Sequence, residues 1–110
     1  MTAMTPGIES LQYTLPGQRP VGHFPTVLVG VVSSGNLEVM LEPTAGVDCH
    51  LRIETSARGF GAIWDAVVQD FHRRHPIGGL RVSVHDMGAT PAVVSLRLDQ
   101  AVAEINGGRP

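Results

Sequence analysis

Apolar residues in this chain recur first at every second position and later at every third and fourth, and the change marks where strands give way to helices. Leu11, Tyr13 and Leu15 alternate with polar neighbours before the breaker Pro16-Gly17-Gln18-Arg19-Pro20, which predicts a short, half-buried strand. Thr26–Val32 is β-branched and almost wholly apolar, the pattern of a central strand buried on both faces. Leu37, Val39 and Leu41 alternate with Glu38, Met40 and Glu42. Val47, Cys49, Leu51 and Ile53 alternate with Asp48, His50, Arg52 and Glu54. Two more strands follow, joined through Pro43-Thr44-Ala45-Gly46, with the carboxylates, His50 and Arg52 on a wet face.

From about Phe60 the period lengthens. Phe60, Ile63, Trp64, Val67 and Phe71 share one face, with Asp65, Gln69, Asp70 and Arg73 opposite, as in an amphipathic helix. Proline disfavours helical geometry in the residue before it, so the helix should end near His75-Pro76, and Gly78-Gly79 then permits a turn. Leu80, Val82 and Val84 predict another strand. Thr90-Pro91 reads as an N-cap with a first-turn proline, and Val94, Leu98, Ala101 or Val102, and Ile105 keep helical spacing. Val93–Arg97 is also compatible with a strand. The expected fold is α+β: one small domain with a mainly antiparallel sheet of about five strands and two helices on one face. Residues 1–9 and 107–110 are expected to be flexible tails around a domain spanning 10–106.

Composition narrows the class. A chain of 110 residues has room for one core and little for a full enzymatic pocket. With 43% hydrophobic and 16% charged residues it should fold rather than stay disordered. All eight positive charges are arginines and the net charge is -2, which gives no general attraction for a nucleic-acid backbone. No apolar run has bilayer length and no basic-then-apolar leader opens the chain, so a cytoplasmic location and no membrane partner are expected. The lone Cys49 excludes an internal disulfide and fits a reducing compartment.

The candidate chemistry centres on the corner Ser33-Ser34-Gly35-Asn36, where Gly35-Asn36 tolerates the positive φ of a primed hairpin turn and puts two hydroxyls at the tip. Spacing does not separate a modified serine from one chosen for turn chemistry. A self-activated nucleophile needs a base and an orienting acid. His85-Asp86 is the adjacent pair, and strand neighbours face opposite ways, which disfavours a triad, while His50 or His23 could approach in space. His72 and His75 share a helix face but lack further ligands, so no metal is expected. Cys49, in register with Val47 and Leu51, reads as a buried small hydrophobe. Gly59-Phe60-Gly61 lacks the rest of a phosphate-loop fingerprint, and Trp64 and Phe71 read as core. Asp86, at a strand-to-helix junction, either bonds the exposed backbone of its turn or belongs to a docking surface beside the corner.

The segment Val29–Val39, the Trp-bearing helix and Asp86-Met87-Gly88-Ala89-Thr90-Pro91 together resemble the acyl carrier subunit of malonate decarboxylase, over Leu11–Ile105. That family's corner typically reads Gly-Ser-Gly-Asp. Its serine carries 2'-(5''-phosphoribosyl)-3'-dephospho-coenzyme A through a phosphodiester, and by position that serine is Ser34. This chain departs at Ser33 and Asn36, which makes Ser33 a fallback attachment site and removes a negative charge beside it. Gly35 and Asn36 would supply the turn. The citrate lyase acyl carrier is a more distant relative. The helical carrier of fatty acid synthesis is disfavoured independently, because this chain has no Asp-Ser-Leu and half its pattern is strand.

The resemblance implies a non-catalytic, cytoplasmic subunit. An acetyl thioester on its arm is exchanged for malonyl by a transferase subunit, and a decarboxylase subunit pair regenerates the acetyl form. A further transferase loads the prosthetic group. Competing readings are a citrate-lyase-type carrier and an unmodified interaction module that uses the wet face around His50 and Arg52. A small enzyme would need His50, His85 or Cys49 to converge on Ser34.

Overall fold

In the computed structural model, residues 8–30 and 36–105 are described. Five strands form one sheet: β1 (Glu9–Pro16), β3 (Val27–Gly30), β4 (Leu37–Pro43), β5 (Asp48–Thr55) and β7 (Leu80–Asp86), in the order β1-β5-β7-β4-β3. β2 (Arg19–Pro20) and β6 (Ile77–Gly78) pair separately in parallel. The helices are α1 (Gly61–Arg74) and α2 (Pro91–Ile105). The sheet is antiparallel except between β5 and β7, where the chain crosses through α1. The α+β class, the strand count and both helices agree with the sequence pattern.

Alternation sets the two faces. Leu37, Val39 and Leu41 of β4, Cys49, Leu51 and Ile53 of β5, and Leu80, Val82 and Val84 of β7 are buried against Trp64, Val67, Val68 and Phe71 of α1 and Val94, Leu98, Ala101 and Val102 of α2. Glu38, Met40, Glu42, His50, Arg52, Glu54, Arg81 and His85 occupy the opposite, wet face, where His85 Nε2 lies 3.0 Å from Glu54 Oε1. Phe71 is fully buried, and truncation to Ala would cost about 3–5 kcal/mol. Thr90 caps α2, its hydroxyl accepting from the Val93 amide at 3.3 Å, ahead of the expected first-turn proline. α1 ends at Arg74, with His75 as its C-cap before Pro76.

Three expectations are corrected. Within the apolar segment expected over Thr26–Val32, the described strand β3 is an edge strand, not a central one: it pairs with β4 alone, and Leu28 is 59% exposed. α2 packs on its inner face and no described element packs on the outer one, so a continuous apolar run was no sign of double burial here. Val47 precedes β5 and is exposed rather than continuing the inward row of Cys49 and Leu51. Phe60 and Ile63, placed by spacing on the core face, are 47% and 45% exposed, and the buried face of α1 begins at Trp64. β4 and β5 are consecutive but not neighbours, because β7 inserts between them.

Candidate functional site: the edge beside the serine corner

β5 and β7 run parallel and each feeds a helix, so both helix N-termini lie at one edge of the sheet, the edge at which β4 begins. Ser33, Ser34 and Gly35, the predicted corner, lie outside the described residues, as do the expected tail residues 1–7 and 107–110. The strands flanking the corner do pair as an antiparallel hairpin, with Gly30 opposite Glu38.

Asn36 differs from its expected role. No non-glycine among the described residues has positive φ, so Asn36 does not occupy the left-handed position of a primed turn. Its Oδ1 instead accepts from the Leu37 amide at 2.8 Å, and its carbonyl accepts from the Met87 amide at 2.8 Å. Among the described residues flanking the corner, Gly30 is left-handed, with φ of 93°, and a Cβ there would overlap the Leu37 carbonyl.

Asp86 organises the same edge. It is 3% exposed; its Oδ2 accepts from the Thr55 hydroxyl at 2.8 Å and its Oδ1 from the Ala89 amide at 2.9 Å. Thr55 Oγ1 in turn accepts from the Ala57 amide at 3.0 Å, and the Asp86 carbonyl from the Ser56 amide at 3.0 Å. Of the two roles open to Asp86 in sequence, its carboxylate takes the structural one, bonding its turn, and the turn it holds lies beside the corner through Met87 and Asn36. This carboxylate is therefore engaged and not a spare base.

The other candidates do not converge. Cys49 is 1% exposed, burial pushes its thiol up to about 12, and it sits at the far end of β5, about 20 Å along the strand from Thr55. His50 and His85 are on the opposite face from Cys49 and Asp86, and His23 is exposed. His75 Nε2 lies 2.9 Å from Asp99 Oδ1, in a network with Arg74 and Asp70, while His72 faces no such partner. Among the described residues no group of three His, Cys, Asp or Glu side chains is arranged to hold a metal, and no helix is long and apolar enough to cross a membrane.

Two features escaped the sequence reading. Arg97 of α2 lies beside Gly30; its Nε is buried without a hydrogen-bond partner among the described residues, and Nη1 donates to Gln100 at 3.1 Å. A groove of about 260 Å³ opens between the first turns of α1 and the β7–α2 junction, walled by Phe60, Ile63, Trp64, Ala89 and Pro91. The signal for the groove was the pair of large apolar residues Phe60 and Ile63 at the start of a helix.

Residues 25–105 match the family model described as the malonate decarboxylase delta subunit (MdcD). The chain is 67% identical to the malonate decarboxylase acyl carrier protein of Burkholderia cepacia, over 94% of this chain and 96% of that one. It is 56% identical to the protein of the same name from Stenotrophomonas maltophilia, over 92% and 97% of the two. Among solved structures, a chain of a Pseudomonas malonate decarboxylase hetero-tetramer in complex with malonate superposes with a TM-score of 0.80 at 36% identity, covering 88% of this chain and 98% of that one. The family relationship spans the paired strands on both sides of the corner, the Asp86 junction and both helices, and this chain belongs to the malonate decarboxylase acyl carrier protein family, whose members are carriers rather than catalytic subunits.

Proposed function

We propose that this chain serves a malonate decarboxylase as its acyl carrier, with 2'-(5''-phosphoribosyl)-3'-dephospho-coenzyme A attached by a phosphodiester to Ser34, and Ser33 as the second candidate. The observation that carries the reading is the double anchoring of Asn36, through Oδ1 to Leu37 and through its carbonyl to Met87, which fixes one foot of the corner to the edge where both helices begin. A handle presented to several enzymes needs a rigid base of this kind.

The residues near the corner fit an anionic group. Arg97 has a buried Nε with no acceptor and no carboxylate partner among the described residues, and lies beside Gly30 at the other foot. When bound, the group supplies a terminal thiol on a long arm, which holds acetyl and malonyl units as thioesters. Ser34 needs no base of its own, since a loading transferase can activate it, and the buried Cys49 thiol takes no part. The chain contributes tethering, which raises the effective concentration of the acyl unit at the transferase and decarboxylase subunits.

Reconstitution tests the proposal. Mixed with the loading transferase and the remaining subunits, this chain should restore malonate-dependent release of carbon dioxide, and Ser34→Ala should abolish it while Ser33→Ala retains it. Activity from the Ser33,Ser34 double alanine variant would contradict the reading.

A further inference from the structure

We infer that the groove at the N-terminal turn of α1 is a resting site for the neutral, pantetheine part of the carrier's own prosthetic arm. The inference rests on the carrier reading above and goes beyond it by giving the arm a place on this chain.

Phe60 and Ile63 stand 47% and 45% exposed on the rim, while Trp64, at 6%, forms the floor. Large apolar side chains held open along a concavity gain roughly 25 cal/mol for each Å² they later cover. Among the described residues that line the groove, the charged one is Asp86, and both its oxygens are already engaged by Thr55 and Ala89. No cation lines the groove among the described residues, so its chemistry suits a neutral chain better than a phosphate. Beside these apolar walls, the first amides of α1 have no intrahelical acceptor and no side-chain cap, which leaves donors for the amide carbonyls of a pantetheine chain.

Continuity with the corner selects the carrier's own arm as the occupant. Asn36 is bonded to Met87, and the next two residues, Gly88 and Ala89, line the groove. Ser34 is two residues from Asn36, within about 7 Å of chain, and the phosphoribosyl and nucleotide units between that serine and the pantetheine form a flexible tether longer than this gap. An arm attached there reaches the groove without any change in the described backbone.

The test uses the full chain with uniform isotope labels and an unlabelled prosthetic group, loading being established first by intact mass. Isotope-filtered NOE spectra of the loaded chain should connect the geminal methyls of the arm to Phe60 and Ile63. The emission of Trp64, the one tryptophan in the sequence, should shift on loading. Ile63→Glu, a change at a half-exposed position, should keep the circular dichroism of the parent and lose the contacts to Phe60 at least tenfold, while Ile63→Leu keeps them. A loaded chain whose arm gives no contact to the groove overturns the inference and leaves the carrier reading standing. Contacts that appear only at high protein concentration assign the groove to a second copy and overturn it as well. A chain that an active loading enzyme leaves unmodified overturns both.

Discussion

The Met87 amide donates to the Asn36 carbonyl at 2.8 Å, joining the foot of the serine corner to the β7–α2 junction. With the bonds that Asp86 makes to Thr55 and Ala89, this contact turns three separate connections into one hydrogen-bonded edge. The stability of that edge is therefore concentrated in a few polar groups.

Asp86→Ala removes the acceptor of a buried hydroxyl and of a junction amide together, and the expected loss of unfolding free energy is about 2–4 kcal/mol, read by urea denaturation. Asp86→Asn should cost less, because an amide oxygen can still accept from Ala89 and its NH2 can donate to Thr55 Oγ1. Equal losses in the two variants would contradict this account of the junction.

Gly30 and Gly22 both have positive φ, but only at Gly30 would a Cβ strike neighbouring atoms, the Leu37 carbonyl foremost. Gly22→Ala should cost about 1–2 kcal/mol from left-handed strain alone. Gly30→Ala carries that strain plus displacement of the Leu37 carbonyl and of Arg97, so it should lower the denaturation midpoint further. The same urea titrations rank the pair.

Asp70 and Asp99 tie the C-terminal turn of α1 to α2. The Arg74 hydrogen bond, helped by Arg73, holds Asp70 below the ordinary carboxylate value. Burial pushes Asp99 up, but Arg74 and His75 outweigh it and hold it down. Both folded values are depressed, so the unfolded chain takes up protons first as pH falls. Their stabilising contribution is complete above the unfolded value of about 3.9 and is lost as pH drops through the folded values. Thermal melts from about pH 5 to pH 3 should fall more steeply for the parent than for Asp99→Asn.

Cys49 should behave as a core residue. With its thiol buried and pushed up to about 12, it should not react with Ellman's reagent in the native protein and should titrate fully in guanidinium. Cys49→Ala should leave loading unchanged, and loss of loading in a folded Cys49→Ala protein would return Cys49 to the site.

The elements of this fold were legible because their periods are clean: Leu37 to Leu41 and Cys49 to Ile53 alternate on a single buried face, and Trp64, Val67 and Phe71 recur at helical spacing. Their neighbours were not legible. Insertion of β7 between β4 and β5 is a long-range pairing that no local period encodes, and so is the pairing of β3 with β4 alone, which leaves β3 at an edge. At the candidate site, the Gly35-Asn36 dipeptide pointed to a turn, but Asn36 serves through its side chain and carbonyl while Gly30 takes the left-handed conformation. Arg97 and the groove were hidden for the same reason as the strand order, since each is assembled from segments distant in sequence.

The most direct test of the central claim is intact mass with peptide mapping of the protein isolated from its native host or co-expressed with its loading enzymes. The account predicts an added mass equal to the phosphoribosyl-dephospho-coenzyme A group on the peptide containing Ser34, absent in Ser34→Ala. The same adduct on Ser33 would move the site by one residue and keep the function. An unmodified chain, obtained with loading enzymes that modify an authentic carrier under the same conditions, would contradict the carrier assignment.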